Sequence, residues 1–225
     1  MTYRLIINNC IEEIALLYRQ MDIKPNDIQV VISASATGYY GDRGDELLTE
    51  DQRADDGFLG KTCVDWEKAV HEGRKLGLRT ACLRSGVVLA ADGGVYGKIR
   101  NPVRAGLGAV FGNGHQYLPW IHVDDAVRAY IHAIENTAVS GAYNLVAPEQ
   151  VTNAGFTKEI ASFFGKSVWL PPIRAFILKT VMGQMSELLL HSTRASAEKI
   201  QQSGFEFQYP TLGMAIAQCE QKSRG

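Results

Sequence analysis

Between Ser33 and Gly41 the chain reads Ser-Ala-Ser-Ala-Thr-Gly-Tyr-Tyr-Gly, which places three aliphatic hydroxyls and two phenols within nine residues. Hydroxyls at that density suit hydrogen bonding to a reacting oxygen. A phenol beside them could move a proton if its pKa, ordinarily about 10, were lowered. The residues just before, Val30, Val31 and Ile32, carry no charge. Such a run suits a strand buried on both faces of a parallel sheet. Ligands of open α/β sheets bind beyond the carboxyl ends of the strands, and Ser35 falls at such an end. The plainer alternative is a strand-to-loop turn rich in small residues.

The neighbouring elements follow from periodicity. Residues 4–21 form a helix with Leu5, Ile6, Cys10, Ile14, Leu17 and Met21 as its apolar stripe, ended by Pro25 and Asn26. A helix feeding a parallel strand is half of a βαβ crossover. Residues 42–57 are acidic and read as a solvated loop. A helix is expected over 58–76 and one strand over 79–89. A short strand at 118–123 leads into a helix to Glu135, with Asp124 and Asp125 capping its free N–H groups. A strand at 142–146 and a helix capped by Thr152 and closed by Gly165 follow. From Pro171 the texture changes to an apolar segment with Phe176, Ile177, Val181, Met182, Met185, Leu188 and Leu189. A short extended piece at 204–210 and a last helix from Thr211 complete the chain.

Residues 93–114 hold seven glycines. Glycine runs cradle phosphate when they lead into a helix N-terminus, but Phe111 stands where Gly106-x-Gly108 would need its third glycine. Gly60-Lys61-Thr62 and Gly165-Lys166-Ser167 resemble ends of phosphate loops, yet Asp55 and Ile160 occupy their leading positions. A flexible loop on the substrate side is the expectation.

At 225 residues the chain suits one large α/β domain, or one with a small annex, and its net charge of −1 gives nucleic acid or an anionic membrane no electrostatic attraction. The four cysteines form no Cys-x-x-Cys and no metal-ligand spacing, so no metal is expected. That usage suits a reducing, cytoplasmic setting, and neither a signal peptide nor a membrane-spanning run is read.

Taken in order, SASATGYYGD, FLGKTCVDWE, LRSGVVLAADGG, the glycine-rich stretch, LPWIHVDDAVRA and VTNAGFTKEI resemble the extended short-chain dehydrogenase/reductases. The closer likeness is to their atypical "epimerase family" branch, which carries a small C-terminal domain. The resemblance spans essentially the whole chain. It implies an α/β fold, a Rossmann-like doubly wound parallel sheet incomplete on its N-terminal side, over residues 1–169. A small, mostly helical region over 170–225 would help hold the substrate. It also implies NADP or NAD as cofactor, a small-molecule substrate and a homo-oligomer among the partners to expect.

By the same resemblance, Ser35, with Thr37 as the alternative, would hydrogen-bond the substrate's reacting oxygen. Ser33, Ala34, Arg84, Ser85, Gly86 and Val87 would lie against the cofactor, and Thr37, Trp120 and His122 against the substrate. The family's Tyr-x-x-x-Lys pair, whose spacing shares one helix face, is absent. Leu59 and Cys63 stand where it is expected, and Tyr39 or Tyr40 is the stand-in acid/base. The glycine fingerprint for a pyrophosphate is also absent, and the family's opening strands would precede the chain. Three readings remain open. The chain is an NAD(P)-dependent epimerase or oxidoreductase of a nucleotide-sugar or another carbonyl or hydroxyl substrate, a non-catalytic dinucleotide-binding or interaction module, or a fragment that binds cofactor poorly.

Overall fold

The structure, a computed structural model, describes residues 2–91, 94–182 and 186–222. Gly93 and Met185 lie outside the described residues, as do the side chains of Leu5, Ile6, Cys10, Val181, Met182 and Leu188.

Three strands make the principal sheet: β1 (Val30–Ala36), β3 (Arg79–Ser85) and β6 (Gly141–Leu145), in the order β1-β3-β6 and parallel throughout. Successive side chains of a strand point to opposite faces, and β3 uses both. Ala81 and Leu83 pack against Ala126, Ala129 and Ala133 of helix α4 (Val123–Glu135). Thr80 and Arg84 turn the other way, toward His71 and Glu67 of helix α2 (Phe58–His71). The result is three layers, with α1 (Thr2–Ile23) packed outside α2. In α1 the buried anchor is Tyr18, whose hydroxyl donates to the Val70 carbonyl at 2.6 Å. Leu17, expected in the stripe, is 48% exposed.

β1 is an edge strand of this sheet and only half-buried, so the expectation of burial on both faces is corrected; the strand covered on both sides is β3. The strand expected over 79–89 is two. It breaks at Gly86, and β4 (Val87–Leu89) pairs in parallel with β5 (Trp120–His122). Glycine permits the break because a Cβ at Gly86 would lie 2.6 Å from the Pro119 carbonyl oxygen. The helix expected to run to residue 76 tightens to a 3-10 turn from Glu72.

The acidic stretch contributes structure. Leu47–Leu48 form β2, paired in parallel with β7 (Arg194–Ala195), and Asp42 Oδ1 accepts from the Ser192 N–H. The stretch expected to be a glycine-rich loop holds helix α3 (Gly94–Arg104). Thr152 caps α5 (Asn153–Phe163) as expected, accepting from the Gly155 N–H.

The cap of α4 is His122, whose Nδ1 accepts from the Asp124 N–H, rather than either aspartate. Asp124 pairs with Lys222. The fully buried Asp125 accepts from the backbone N–H groups of Gln208 and Tyr209 and from Arg128. The C-terminal residues are thereby tied into the body. Helices α6 (Ala175–Met182), α7 (Glu187–Leu190) and α8 (Glu198–Gln202) precede α9 (Leu212–Lys222). Leu212, Ala215, Ile216 and Cys219 of α9 share one apolar cluster with Leu89, Tyr96, Trp120 and Phe156.

Candidate functional site

The tip of β1 opens onto a cavity of about 540 Å³. Ser35, Ala36, Thr37 and Gly38 form one wall, and Ser85, Gly86, Val87 and Val88 form the floor where β3 gives way to β4. Leu59 of α2, Lys98 and Ile99 of α3, Phe111, Leu178 of α6, Glu187 and Leu189 of α7, His191 and Thr193 complete it. Sequence reasoning missed Lys98, Phe111, Leu178, Glu187, Leu189 and His191, which reach the cleft through chain reversals that no local pattern reports.

Behind the Ser35 wall lies a buried polar network. The Ser35 hydroxyl donates to Glu67 Oε1 at 2.6 Å. Glu67 and Arg84 form a two-pronged ion pair, Nε to Oε1 and Nη2 to Oε2, both at 2.8 Å. Arg84 also donates to the Tyr40 hydroxyl at 3.0 Å, and that hydroxyl donates to Asn144 Oδ1 at 2.6 Å. Glu67 is 6% exposed and Arg84 3%. Burial opposes the charge of Arg84, but its bonds to Glu67 and Tyr40 outweigh that, and its pKa rises above the ordinary value. Charges so deep are held only when paired and fully hydrogen-bonded.

This network corrects several expectations. Tyr40 is fully buried, its hydroxyl is engaged on both sides, and burial pushes its pKa up to about 12, against the pull of Arg84. A proton mover needs the opposite shift and access to substrate, so Tyr40 is structural. Tyr39 lies under the Arg84 guanidinium, 3.4 Å from its ring centroid, and takes no part in the cavity wall. Arg84 meets Glu67 and Tyr40 rather than the cleft. The Ser33 hydroxyl accepts from Trp66 Nε1 at 3.0 Å and donates to the Ala34 carbonyl, while Ala34 is exposed outside the cavity.

Trp120 is 1% exposed, donating from Nε1 to the Glu149 carbonyl. His122 is equally buried, caps α4 and stacks on Tyr209 at 4.1 Å between centroids. Burial pushes its imidazole below the ordinary range, against the pull of Asp124 and Asp125. Neither reaches the cavity, because the β5 side chains pack into the body. Ser35, Thr37, Ser85, Gly86 and Val87 are the expected site residues that the cavity does bring together. At the positions expected for a tyrosine/lysine pair, Leu59 lines the cavity, and buried Cys63 turns its thiol toward the Ala36 carbonyl. Among the described residues no group of histidine, cysteine or acidic side chains could hold a metal ion. No helix among them is long and apolar enough to cross a membrane.

A parallel α/β sheet with its cleft at the strand tips is the arrangement in which open α/β folds bind ligands. Comparison with known proteins identifies the family. The sequence profile of the NAD dependent epimerase/dehydratase family matches residues 17–146, and a domain of unknown function, DUF1731, matches residues 175–219. The chain belongs to the NAD dependent epimerase/dehydratase family.

It is 38% identical over 194 residues to an epimerase family protein of Mycobacterium leprae, covering 84% of this chain and 62% of that relative's length. The human epimerase family protein SDR39U1, isoform 2, solved with NADPH, superposes with a TM-score of 0.87 at 28% identity, covering 96% of this chain and 73% of that one. A nucleoside-diphosphate sugar epimerase from Corynebacterium glutamicum superposes at 0.76 with 32% identity, covering 93% of this chain and 42% of that one.

The family implies a nicotinamide dinucleotide, and the residues present fit one end of it. The small residues Ser35, Ala36 and Gly38, beside Ser85 and Gly86 at the adjacent end of β3, line the same cavity, which leaves room for a flat ring. The Gly-x-Gly-x-x-Gly spacing that usually seats a pyrophosphate does not occur in the sequence.

Proposed function

We propose that this chain forms the substrate side of an NAD(P)-dependent epimerase or oxidoreductase acting on a carbonyl or hydroxyl group, with Ser35 as the residue that holds the reacting oxygen. The observation that carries the reading is the Ser35 hydroxyl on the cavity wall, donating to a carboxylate that Arg84 fixes from behind. With its proton committed to Glu67, Ser35 presents lone pairs to the cleft and can accept a hydrogen bond from a substrate hydroxyl. Held by Glu67 in one orientation, Ser35 would fix the position of the substrate oxygen beside the cofactor ring.

A nicotinamide dinucleotide, when bound, would supply the hydride chemistry. The backbone of residues 85–88 and the Ser35 and Thr37 side chains would hold its ring end. The NADPH in the human relative supports NADPH as the first cofactor to try.

The test is a titration with NADPH and NADH followed by a hydride-transfer screen over carbonyl compounds and sugar nucleotides, in wild type and Ser35→Ala. Turnover that falls at least a hundredfold in Ser35→Ala supports the proposal; turnover indifferent to the change overturns it. A second reading, a dinucleotide-binding or interaction module without catalysis, is favoured by Leu59 and Cys63 standing where a proton relay is expected. Cofactor binding without turnover on any substrate would select it.

A further inference from the structure

The net charge of −1 conceals an uneven distribution. No Asp or Glu occurs over residues 93–123 or over residues 160–186, and those two stretches hold Lys98, Arg100, Arg104, Lys166, Arg174 and Lys179. The fold lays the two stretches side by side. Trp169 Nε1 donates to the Gly106 carbonyl at 3.0 Å, the Ile173 N–H to the Val110 carbonyl at 2.8 Å, and the Gly112 N–H to the Ile173 carbonyl at 2.9 Å. Arg100 is answered by Glu220 of α9. Arg104, Lys166 and Arg174 are exposed, and none of the three is paired with an acidic side chain among the described residues.

Large apolar side chains stand among these cations. Trp169 is 67% exposed, Phe176 62%, Leu107 57% and Ile177 43%. Residues that line a peptide groove are partly covered by its walls, whereas these project. Projecting apolar groups interspersed with Lys and Arg suit the boundary between headgroups and acyl chains of an anionic bilayer, entered to about 5–10 Å. The apolar groups gain by leaving water. Each cation near the anionic surface adds about fivefold in affinity. A second copy of the chain is disfavoured on this face, because like charges would meet. Nucleic-acid bases stack on flat aromatic platforms, and two of the four projecting groups are aliphatic.

We propose that the face formed by residues 104–110 and 166–177 is a peripheral docking site for an anionic lipid bilayer. Leu107, Trp169, Phe176 and Ile177 enter the interface, and Arg104, Lys166 and Arg174 meet the headgroups. Phe111 and Leu178 continue the same two segments into the cavity wall, so the docked face adjoins the rim of the cleft. Docking of this kind is independent of the reaction at Ser35.

Trp169 supplies its own probe, because Trp120 is 1% exposed and Trp66 is half-buried with its Nε1 on Ser33. The full chain is mixed with vesicles of phosphatidylcholine alone, or of phosphatidylcholine and phosphatidylglycerol in equal parts. Tryptophan emission and co-sedimentation are followed as lipid is added. Expected are saturable binding to the mixed vesicles, a blue shift of emission, quenching by acyl-brominated lipid, and weaker binding as salt rises. Arg104→Glu combined with Arg174→Glu should weaken binding at least about tenfold. Phe176→Ser should weaken it by itself, and Trp169→Phe should keep binding but lose the blue shift. All four positions lie on the surface, and an unchanged urea midpoint shows that each variant keeps its fold. No binding to the mixed vesicles overturns the proposal. So does binding that neutral vesicles match, that leaves the emission unshifted, or that ignores both the arginine reversals and Phe176→Ser. Capture of a single-stranded oligonucleotide or of polyglutamate without vesicle binding assigns the face to another polyanion and overturns it as well.

Discussion

Ser35 and Glu67 stand 32 residues apart in the chain and 2.6 Å apart across the β1–α2 contact, joined by a hydrogen bond from the serine hydroxyl to the carboxylate. The pair links the cavity wall to the buried Arg84 charge behind it. Glu67→Gln leaves Arg84 without its counter-charge in the interior. It should lower stability by about 3–5 kcal/mol, whereas Ser35→Ala removes one hydrogen bond and should cost about 0.5–1.5 kcal/mol. Urea unfolding followed by circular dichroism measures both. Replacing Glu67 and Arg84 together by Leu and Met should be much milder than Glu67→Gln alone, because no orphan charge remains.

Asp125 is the second buried carboxylate with a structural consequence. It accepts 2.9 Å bonds from the N–H groups of Gln208 and Tyr209 and a 3.0 Å bond from Arg128. Asp125→Ala leaves those amides without their acceptor and should cost about 2–4 kcal/mol. Limited proteolysis with mass spectrometry should show new cleavage between residues 204 and 212 before global unfolding.

Gly86 has no room for a side chain, since an added Cβ would come within 2.6 Å of the Pro119 carbonyl oxygen. Gly86→Ala should therefore destabilise by about 1–3 kcal/mol. It should also weaken any ligand of the cleft, because the shift falls at the cavity floor. Thermal melts and ligand titration of the same variant check both effects.

One buried and one half-buried histidine set an acid limit. Burial lowers the pKa of His71 and of His122 below 6.5, so the folded protein holds both neutral while the unfolded chain protonates near 6.5. The unfolded state then binds more protons between the folded pKa values and 6.5. Stability is fully present above about pH 7 and declines as pH falls through that window, with a slope of at most about 1.4 kcal/mol per pH unit per histidine. His122→Asn should flatten that decline in urea midpoints measured from pH 7.5 to 5; an unchanged slope would remove His122 from the account.

What could be read from the residues alone was the frame and one wall of the cleft. Ser35 was legible because an uncharged strand run followed by small residues marks a tip, and tips are where α/β clefts lie; Thr37 and residues 85–87 were named only through the family resemblance. The place of Tyr40 was not legible. A phenol's role depends on its partner, and Asn144 lies 104 residues further along the chain. The Glu67–Arg84 pair left a faint signal, opposite charges in a helix stripe and a strand otherwise expected to be buried. Local pattern does not say that such charges meet. The opposite wall from α6 and α7 had no readable mark beyond an apolar segment.

One feature of the floor governs what this cleft can become. Because β3 and β4 are one backbone creased at Gly86, the base of the cleft is main chain pressed against main chain at Pro119. Side-chain replacement cannot widen it there. Divergence in ligand preference is open only to the movable rim, at Leu59, Phe111, Leu178 and Leu189, while the base persists as an inherited gauge of thickness that every ligand must match.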